Sequence, residues 1–345
     1  MRPLRKIIDL QAFAHNVQVL GRQAPRAKLV CVVKADAYGH GVANLLPELK
    51  KMETFAVACI EEALALRALG LRQPVWLLEG VFHPDELPLC VAEGFVPWLH
   101  NAEQWQWLQQ LTPELPHWLK VDSGMHRLGF APKDIAAKRG AHCQGIATHF
   151  ACADEEDLHH ARGQLAAFQQ IEGKAKSAAN SAAVFALPEA HFDWVRPGLA
   201  LYGMSPFAHR SAADLGLRAV MTLETQILAT RWLARGESAG YGAHFVADTD
   251  GYLATIALGY GDGFARQIAS GEVMLRAGGK TCPLVGRVAM DMCLLWLGKD
   301  ALPVGARVVV FGEGHAVETV AAQAATIPYT LTTMLTARVG AVVKG

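Results

Sequence analysis

The chain has 345 residues, 52% of them hydrophobic and 19% charged, with 32 Lys+Arg balancing 32 Asp+Glu. That length suits one large barrel plus a smaller domain. Zero net charge argues against a nucleic-acid binder, which needs a basic excess or patch, and against an acidic disordered chain; no run of about 18 apolar residues is present to span a membrane.

The opening Met1-Arg2-Pro3-Leu4-Arg5-Lys6-Ile7-Ile8-Asp9 is basic, and Asp9 cuts its apolar part short of a secretion-signal core. Eight short apolar runs follow, at Leu29–Val33, Phe55–Ala58, Val75–Leu78, Phe95–Trp98, His117–Val121, Gly145–Thr148, a weak one near Ser177–Ala179, and Phe192–Val195. Between them lie stretches of helical spacing such as Ile60–Leu69, stopped by Gly70, then Ala102–Leu108 and Gln164–Ile171. Strands alternating with helices imply a parallel sheet, and eight repeats predict closure into a (β/α)8 barrel over residues 1–218 rather than an open doubly wound sheet.

From residue 219 the texture changes. Glu224–Thr230, Tyr252–Leu258, Glu272–Leu275, Val285–Val288, Cys293–Leu297 and Arg307–Phe311 read as strands separated by glycines and turn pairs, before one amphipathic helix at Thr319–Ala325. Residues 219–345 are therefore expected to form a mainly β domain. Seven singly scattered cysteines with no C-x-x-C do not read as a disulfide framework, which points to a reducing, cytoplasmic setting.

A barrel enzyme carries its chemistry on loops at the C-terminal ends of its strands. The first run ends in Lys34, followed by Ala35-Asp36-Ala37-Tyr38-Gly39-His40-Gly41. A lysine leaving a greasy strand can act as a nucleophile toward a carbonyl, or can simply snorkel to solvent. The fifth run places Lys120 and Asp122 on one strand face, and Arg127 follows on a glycine-bounded loop where it could fork a substrate carboxylate. The sixth ends at His149. A metal site from His149, Asp154, His159 and His160 lacks a recognisable ligand spacing, and no metal is expected. The seventh and eighth end in Asn180-Ser181 and Arg196-Pro197-Gly198-Leu199, at the usual phosphate site of such barrels. A phosphate and an imine-forming lysine together suit pyridoxal 5'-phosphate, and a phosphosugar aldolase would use the same two features. Gly279-Lys280-Thr281 fails as a P-loop, since Met274 occupies the opening glycine position, and Gly240-Tyr241-Gly242 lacks the third glycine of a dinucleotide fingerprint.

The stretch Val32–Gly41 resembles the pyridoxal phosphate attachment signature of bacterial alanine racemases. The resemblance continues in order through Lys120–Gly129, Thr148–Ala151, Ala179–Ser181, Val195–Gly203, Gly240–Gly242, Gly259–Arg266 and Gly286–Asp291. It implies a barrel plus a β domain, working as a homodimer with shared sites, that interconverts L- and D-alanine to supply D-alanine for peptidoglycan or to degrade alanine. By the same resemblance Lys34 links to the cofactor; Tyr38, Asn180, Ser181, Gly198 and Leu199 surround its phosphate; His149 lies near the ring; and Arg196 faces the pyridine nitrogen. Arg127 and Met290 touch substrate, Tyr241 and Met290 come from the other subunit, Lys120 matches a position carbamylated in many members, and Tyr260 and Arg266 line the entrance. Racemisation needs a proton group on each face of the α-carbon, for which Lys34 and Tyr241 are the pair. The chain departs from the family at Ala289, where many members have cysteine, in the setting Ser238-Ala239 before Gly240, and at Ala337, where some members place a tyrosine on the phosphate and for which Tyr329 lies too early. A cofactor-binding protein of the same barrel would lack the β domain and its tyrosine; a related decarboxylase would carry a carboxylate where Arg196 stands.

Overall fold

The computed structural model describes residues 2–345. They form two compact units. One is Ala14–Leu217; the other joins the stretch ending at Phe13 to Arg218–Gly345. The second unit takes in the opening segment, which the expected barrel of 1–218 includes. Arg5–Asp9 is a strand of the second unit, paired antiparallel with Met221–Leu233 and parallel with Gly340–Lys344.

The first unit is a closed, all-parallel barrel. Its opening strand is broken at Val30: Lys28–Leu29 pairs with Trp194–Val195, and Cys31–Val32 pairs with Phe55–Val57. From there Val75–Leu77, Phe95–Leu99, His117–Lys120, Cys143–Ala147 and Lys176–Ser177 continue side by side back to Trp194–Val195, giving eight staves. These segments are mostly apolar because helices cover one face and the barrel interior takes the other, with Lys28, Lys120 and Lys176 at strand ends. Inside, Trp76 packs against Trp98, Trp118 and Trp194 at 5.4, 4.7 and 5.1 Å between ring centroids. The intervening helices include Ile60–Ala68, with Glu61 and Glu62 at its positive end. Ala102–Leu111 is capped by Asn101 accepting from the Gln104 N–H, and His159–Gln169 begins a turn and a half before its apolar signal.

The second unit is an eight-stranded sheet in the order Gly251–Ile256, Cys293–Gly298, Lys280–Val285, Met274–Ala277, Arg307–Phe311, Met221–Leu233, Arg5–Asp9, Gly340–Lys344. The 13-residue strand Met221–Leu233 also pairs with Gly251–Ile256 beyond a register shift at Ile227/Ala229, which closes six of the strands on themselves. The run expected at Val285–Val288 is instead the end of Lys280–Val285, because Gly286 turns out of the strand at φ +70°. The helix Val317–Gln323 is where amphipathicity places it, and a second short helix, Pro328–Thr333, follows with proline in its first turn. Glu224, 4% exposed, accepts from Arg5 at 2.8 Å and Arg307 at 2.5 Å. Asp262, fully buried, accepts from Arg2 at 2.6 Å. Among the described residues, no helix is long and apolar enough to cross a membrane.

Candidate active site at the barrel mouth

Lys34 sits where the first barrel strand ends, and the backbone after it turns the wrong way. Ala35, Asp36, Ala37 and Tyr38 take φ of 51°, 50°, 55° and 54°, a left-handed turn built without glycine that closes on Gly39 at +79°. Such a turn persists only when its surroundings hold it. Glu62 accepts the N–H of Ala35 at 2.7 Å and of Ala58 at 2.8 Å, tying the turn to the end of the second stave. Asp36 Oδ1 accepts the Val42 N–H at 2.8 Å. Tyr38 is buried with its ring 5.0 Å from that of Tyr202, whose hydroxyl donates to the Val32 carbonyl at 2.8 Å.

Tyr38 also meets the loop after the eighth stave. A Cβ built on Gly198 would collide with the Tyr38 hydroxyl, so only glycine allows this approach. Beside it, Ser181 Oγ accepts the N–H groups of Gly198 at 2.9 Å and Ala200 at 3.2 Å. Asn180 is the cap of the short helix Ser181–Ala186, accepting from the Ala183 N–H; its side chain serves the backbone. Leu199 is buried at the start of a 3-10 turn. It is Ala200, which sequence reasoning missed, whose N–H joins Gly198 on the serine. The signal was the Gly-Leu-Ala stretch itself, but which N–H points inward depends on the turn.

The eighth stave continues into Arg196, 5% exposed. Its guanidinium donates to Ser177 Oγ at 2.6 Å and to the carbonyls of Thr148 at 2.7 Å and Ala178 at 3.3 Å, and lies 4.9 Å from the Trp98 ring. Burial pushes its pKa down to about 9, which leaves it charged at neutral pH. No carboxylate pairs with it among the described residues, so its charge is held by neutral acceptors and an aromatic face. Sequence spacing could not have found Ser177, Thr148 or Trp98 as its supports.

Lys120 is 8% exposed. Burial, then repulsion from Arg127, Arg196 and Lys34 against a smaller attraction from Glu79, pushes its amine down to about 8. His149 is held well below the usual imidazole range by burial and then by Arg196, Lys120, Arg127 and Lys34. Lys34, Lys120, Arg127, His149 and Arg196 all stand at or after the C-terminal ends of staves, and so share one end of the barrel. Asp122 anchors the loop leading to Arg127: its Oδ1 accepts the N–H groups of Gly124 and His126, both at 3.0 Å. Although burial works against it, these bonds and the His126 ring hold the Asp122 carboxyl below its ordinary range. Ser123 and Thr148 share a 2.7 Å hydroxyl contact, and Thr148 donates to the Val121 carbonyl at 2.9 Å.

The remaining expected residues stand on the second unit. Tyr241 and Met290 are 67% and 52% exposed. Tyr241 lines a cavity of about 430 Å³ with Arg287 and Leu294. The Arg266 guanidinium lies 5.6 Å from the Tyr260 ring, so this pair is brought together. Tyr329, in Pro328–Thr333, is 37% exposed.

Residues 8–206 match the family described as alanine racemase, N-terminal domain, and residues 220–343 match alanine racemase, C-terminal domain. A protein named alanine racemase from Dichelobacter nodosus is 51% identical with all of both chains covered, and one from Aeromonas hydrophila is 44% identical over 96% of this chain and 97% of that one. Among solved structures, the biosynthetic alanine racemase from Pseudomonas aeruginosa superposes with a TM-score of 0.95 at 39% identity, and the alanine racemase from Acinetobacter baumannii with 0.92 at 37%, each covering all of both chains. A strand-end lysine, a serine–glycine cradle and a buried arginine on an eight-staved barrel, with a β unit matched over nearly its whole length, lead to one conclusion: the chain belongs to the alanine racemase family.

Proposed function

We propose that the chain interconverts L- and D-alanine with pyridoxal 5'-phosphate held at the barrel mouth, as a homodimer in which each copy completes the other's site. One observation carries the reading. The mouth places a strand-end lysine beside a cradle of hydroxyl and N–H donors and a buried guanidinium. Ser181, the Gly198 and Ala200 N–H groups and the Tyr38 hydroxyl suit a phosphate monoester, and the missing Cβ of Gly198 makes room for that hydroxyl. When bound, the cofactor supplies an aldehyde for amine exchange and a ring that delocalises charge left by a departing α-proton.

The chain's own residues would do the rest. Lys34, released when substrate binds, takes or returns the α-proton on one face, and Tyr241 from a second copy serves the other. The exposure of Tyr241 and that of Met290 fit a surface covered by another copy. Arg196 would face the pyridine nitrogen. A guanidinium does not surrender its proton, so Arg196 would leave that nitrogen unprotonated and would favour proton exchange over loss of carbon dioxide. Arg127 would hold the substrate carboxylate.

Lys120 fits carbamylation. With its amine at about 8, roughly a tenth is neutral at pH 7. The neutral nitrogen can bond to carbon dioxide and release a proton, giving an anion. The surrounding charges then attract where they repelled, and Arg127 gains an orienting partner. A cytoplasmic setting belongs to this reading, supported by seven free cysteines. An aldolase or a cofactor-storage barrel would have no use for the second unit.

The test is borohydride reduction of the loaded protein with peptide mapping, alongside D-alanine formation from L-alanine. Label at Lys34 and progress to equal amounts of the two enantiomers are expected. Label elsewhere, or no D-alanine, would overturn the proposal.

A further inference from the structure

Two loops of the second unit carry Tyr260 and Met290, exposed residues expected at another copy's site. Tyr260 opens the turn Tyr260–Asp262, and Met290 lies in the turn 289–292, where the Ala289 N–H donates to the Met292 carbonyl at 3.0 Å. The loops are joined backbone to backbone. The Tyr260 and Gly261 N–H groups donate to the carbonyls of Ala289 at 3.0 Å and Met290 at 2.9 Å. The approach is close enough that a Cβ on Gly259 would strike the Met290 carbonyl.

Four charged side chains hold this pair of loops. Asp262 is fully buried, and its Oδ2 accepts the Gly259 N–H at 2.9 Å and Arg2 at 2.6 Å. The same Arg2 nitrogen donates to the Asp291 carbonyl at 2.6 Å. Arg338 Nη2 donates to Asp291 Oδ1 at 2.6 Å, and Arg338 Nε lies 3.4 Å from Asp262 Oδ1. Arg338 thus bridges the carboxylates of the two loops. Its own segment is tied to the first of them, since Thr336 donates through its N–H to the Asp262 carbonyl at 3.1 Å and through its hydroxyl to the Gly261 carbonyl at 3.0 Å. A lone exposed ion pair contributes little. Here one carboxylate is out of water, where losing a partner is costly, and the other belongs to the residue next to Met290. We propose that Arg338 is a positioning residue for substrate binding: through Asp262 and Asp291 it fixes the two loops that present Tyr260 and Met290 to a second copy's site.

This role rests on the reading that each copy completes the other's site, and the experiment tests the two separately. Arg338→Gln removes the charge and the bridge. In the cofactor-loaded protein it should raise the KM for alanine about 5- to 20-fold and change kcat less than about twofold, because the lost contact acts on binding. A merely structural loss would instead lower the melting temperature and the active fraction with KM unmoved. Asp291→Asn should raise KM similarly, and the double variant should be no worse than either, because both cut one linkage. Co-expression with an excess of Lys34→Ala then locates the effect. The Lys34→Ala copy has an inert barrel but a normal second unit, so the mixed dimers should return KM to the wild-type value. Tyr241→Phe co-expressed with Lys34→Ala is the control for shared sites and should regain full proton exchange. If the control fails, the sites are not shared and both readings fall. If it succeeds while Arg338→Gln leaves KM unchanged, or keeps its raised KM in mixed dimers, the positioning role alone is overturned.

Discussion

Gly198 shows how one missing methyl group can shape a site. Its φ is negative, at −113°, so the requirement does not come from the left-handed region; it comes from the space that the Tyr38 hydroxyl takes. Gly198→Ala should force the Tyr38 hydroxyl away at a cost of about 1–3 kcal/mol, roughly 5- to 150-fold in cofactor affinity. Tyr38→Phe in the same chain should recover part of that loss by removing the atom struck. Spectrophotometric titration of the apoprotein, single and double variants together, checks both. At Tyr241 the expectation is kinetic. Tyr241→Phe should leave cofactor loading intact and make deuterium uptake unequal between L- and D-alanine, and equal uptake from both would contradict the assignment. Tyr38 and Gly198 were legible in the sequence because each follows an apolar run, whereas Tyr241 follows the polar stretch Arg235–Gly240 and was marked only by the family resemblance. The groups that hold them were not: the acceptors around Arg196 lie 18 to 48 positions away, and only barrel closure brings them together.

At the scale of elements, the left-handed turn after Lys34 is the least expected feature. Four consecutive non-glycine residues there each carry about 1–2 kcal/mol of unfavourable backbone energy. No glycine marks residues 35–38, so the sequence gives a loop and no sign of its hand. Glu62, on the neighbouring helix, accepts one N–H from the turn, at Ala35, and one from the end of the second stave, at Ala58. Glu62→Ala should lower stability by about 1–3 kcal/mol by leaving those donors unmet, and should reduce the fraction of Lys34 that captures cofactor. Glu62→Gln retains one acceptor and should fall between, as read by denaturant melts and by the cofactor absorbance band. Most staves were readable because strands buried on both faces run apolar, whereas at Lys176–Ser177 only two polar residues pair and the weak apolar signal lay just beyond them. Arg5–Asp9 escaped because Arg-Lys-Ile-Ile-Asp mixes charge with a two-residue apolar core, and its pairing partners lie more than 200 positions away.

For the molecule as a whole, acid should act first through histidines. Burial holds His100, His117, His149 and His315 below the ordinary imidazole value of 6.5. In the unfolded chain they protonate near 6.5, so unfolding takes up protons below that pH. Stability is therefore complete above about pH 6.5 and falls as the pH drops toward 5, by at most about 1.4 kcal/mol per pH unit for each histidine. Melting temperatures at pH 7.5 and 5.5 check the sign; a higher value at pH 5.5 would refute it.

The second unit has one more consequence, in its threading. Its inner strand Arg5–Asp9 is made first, while the strands on either side come from residues 221–233 and 340–344. Arg2 and Arg5 neutralise buried carboxylates at 262 and 224. A fragment starting at residue 218 should stay unfolded by circular dichroism, and one carrying residues 2–13 fused behind Gly345 should fold. On the ribosome, residues 5–9 must wait, unpaired, until residues 221–233 and then 340–344 have been translated, so the unit can close only after more than three hundred further residues have been joined.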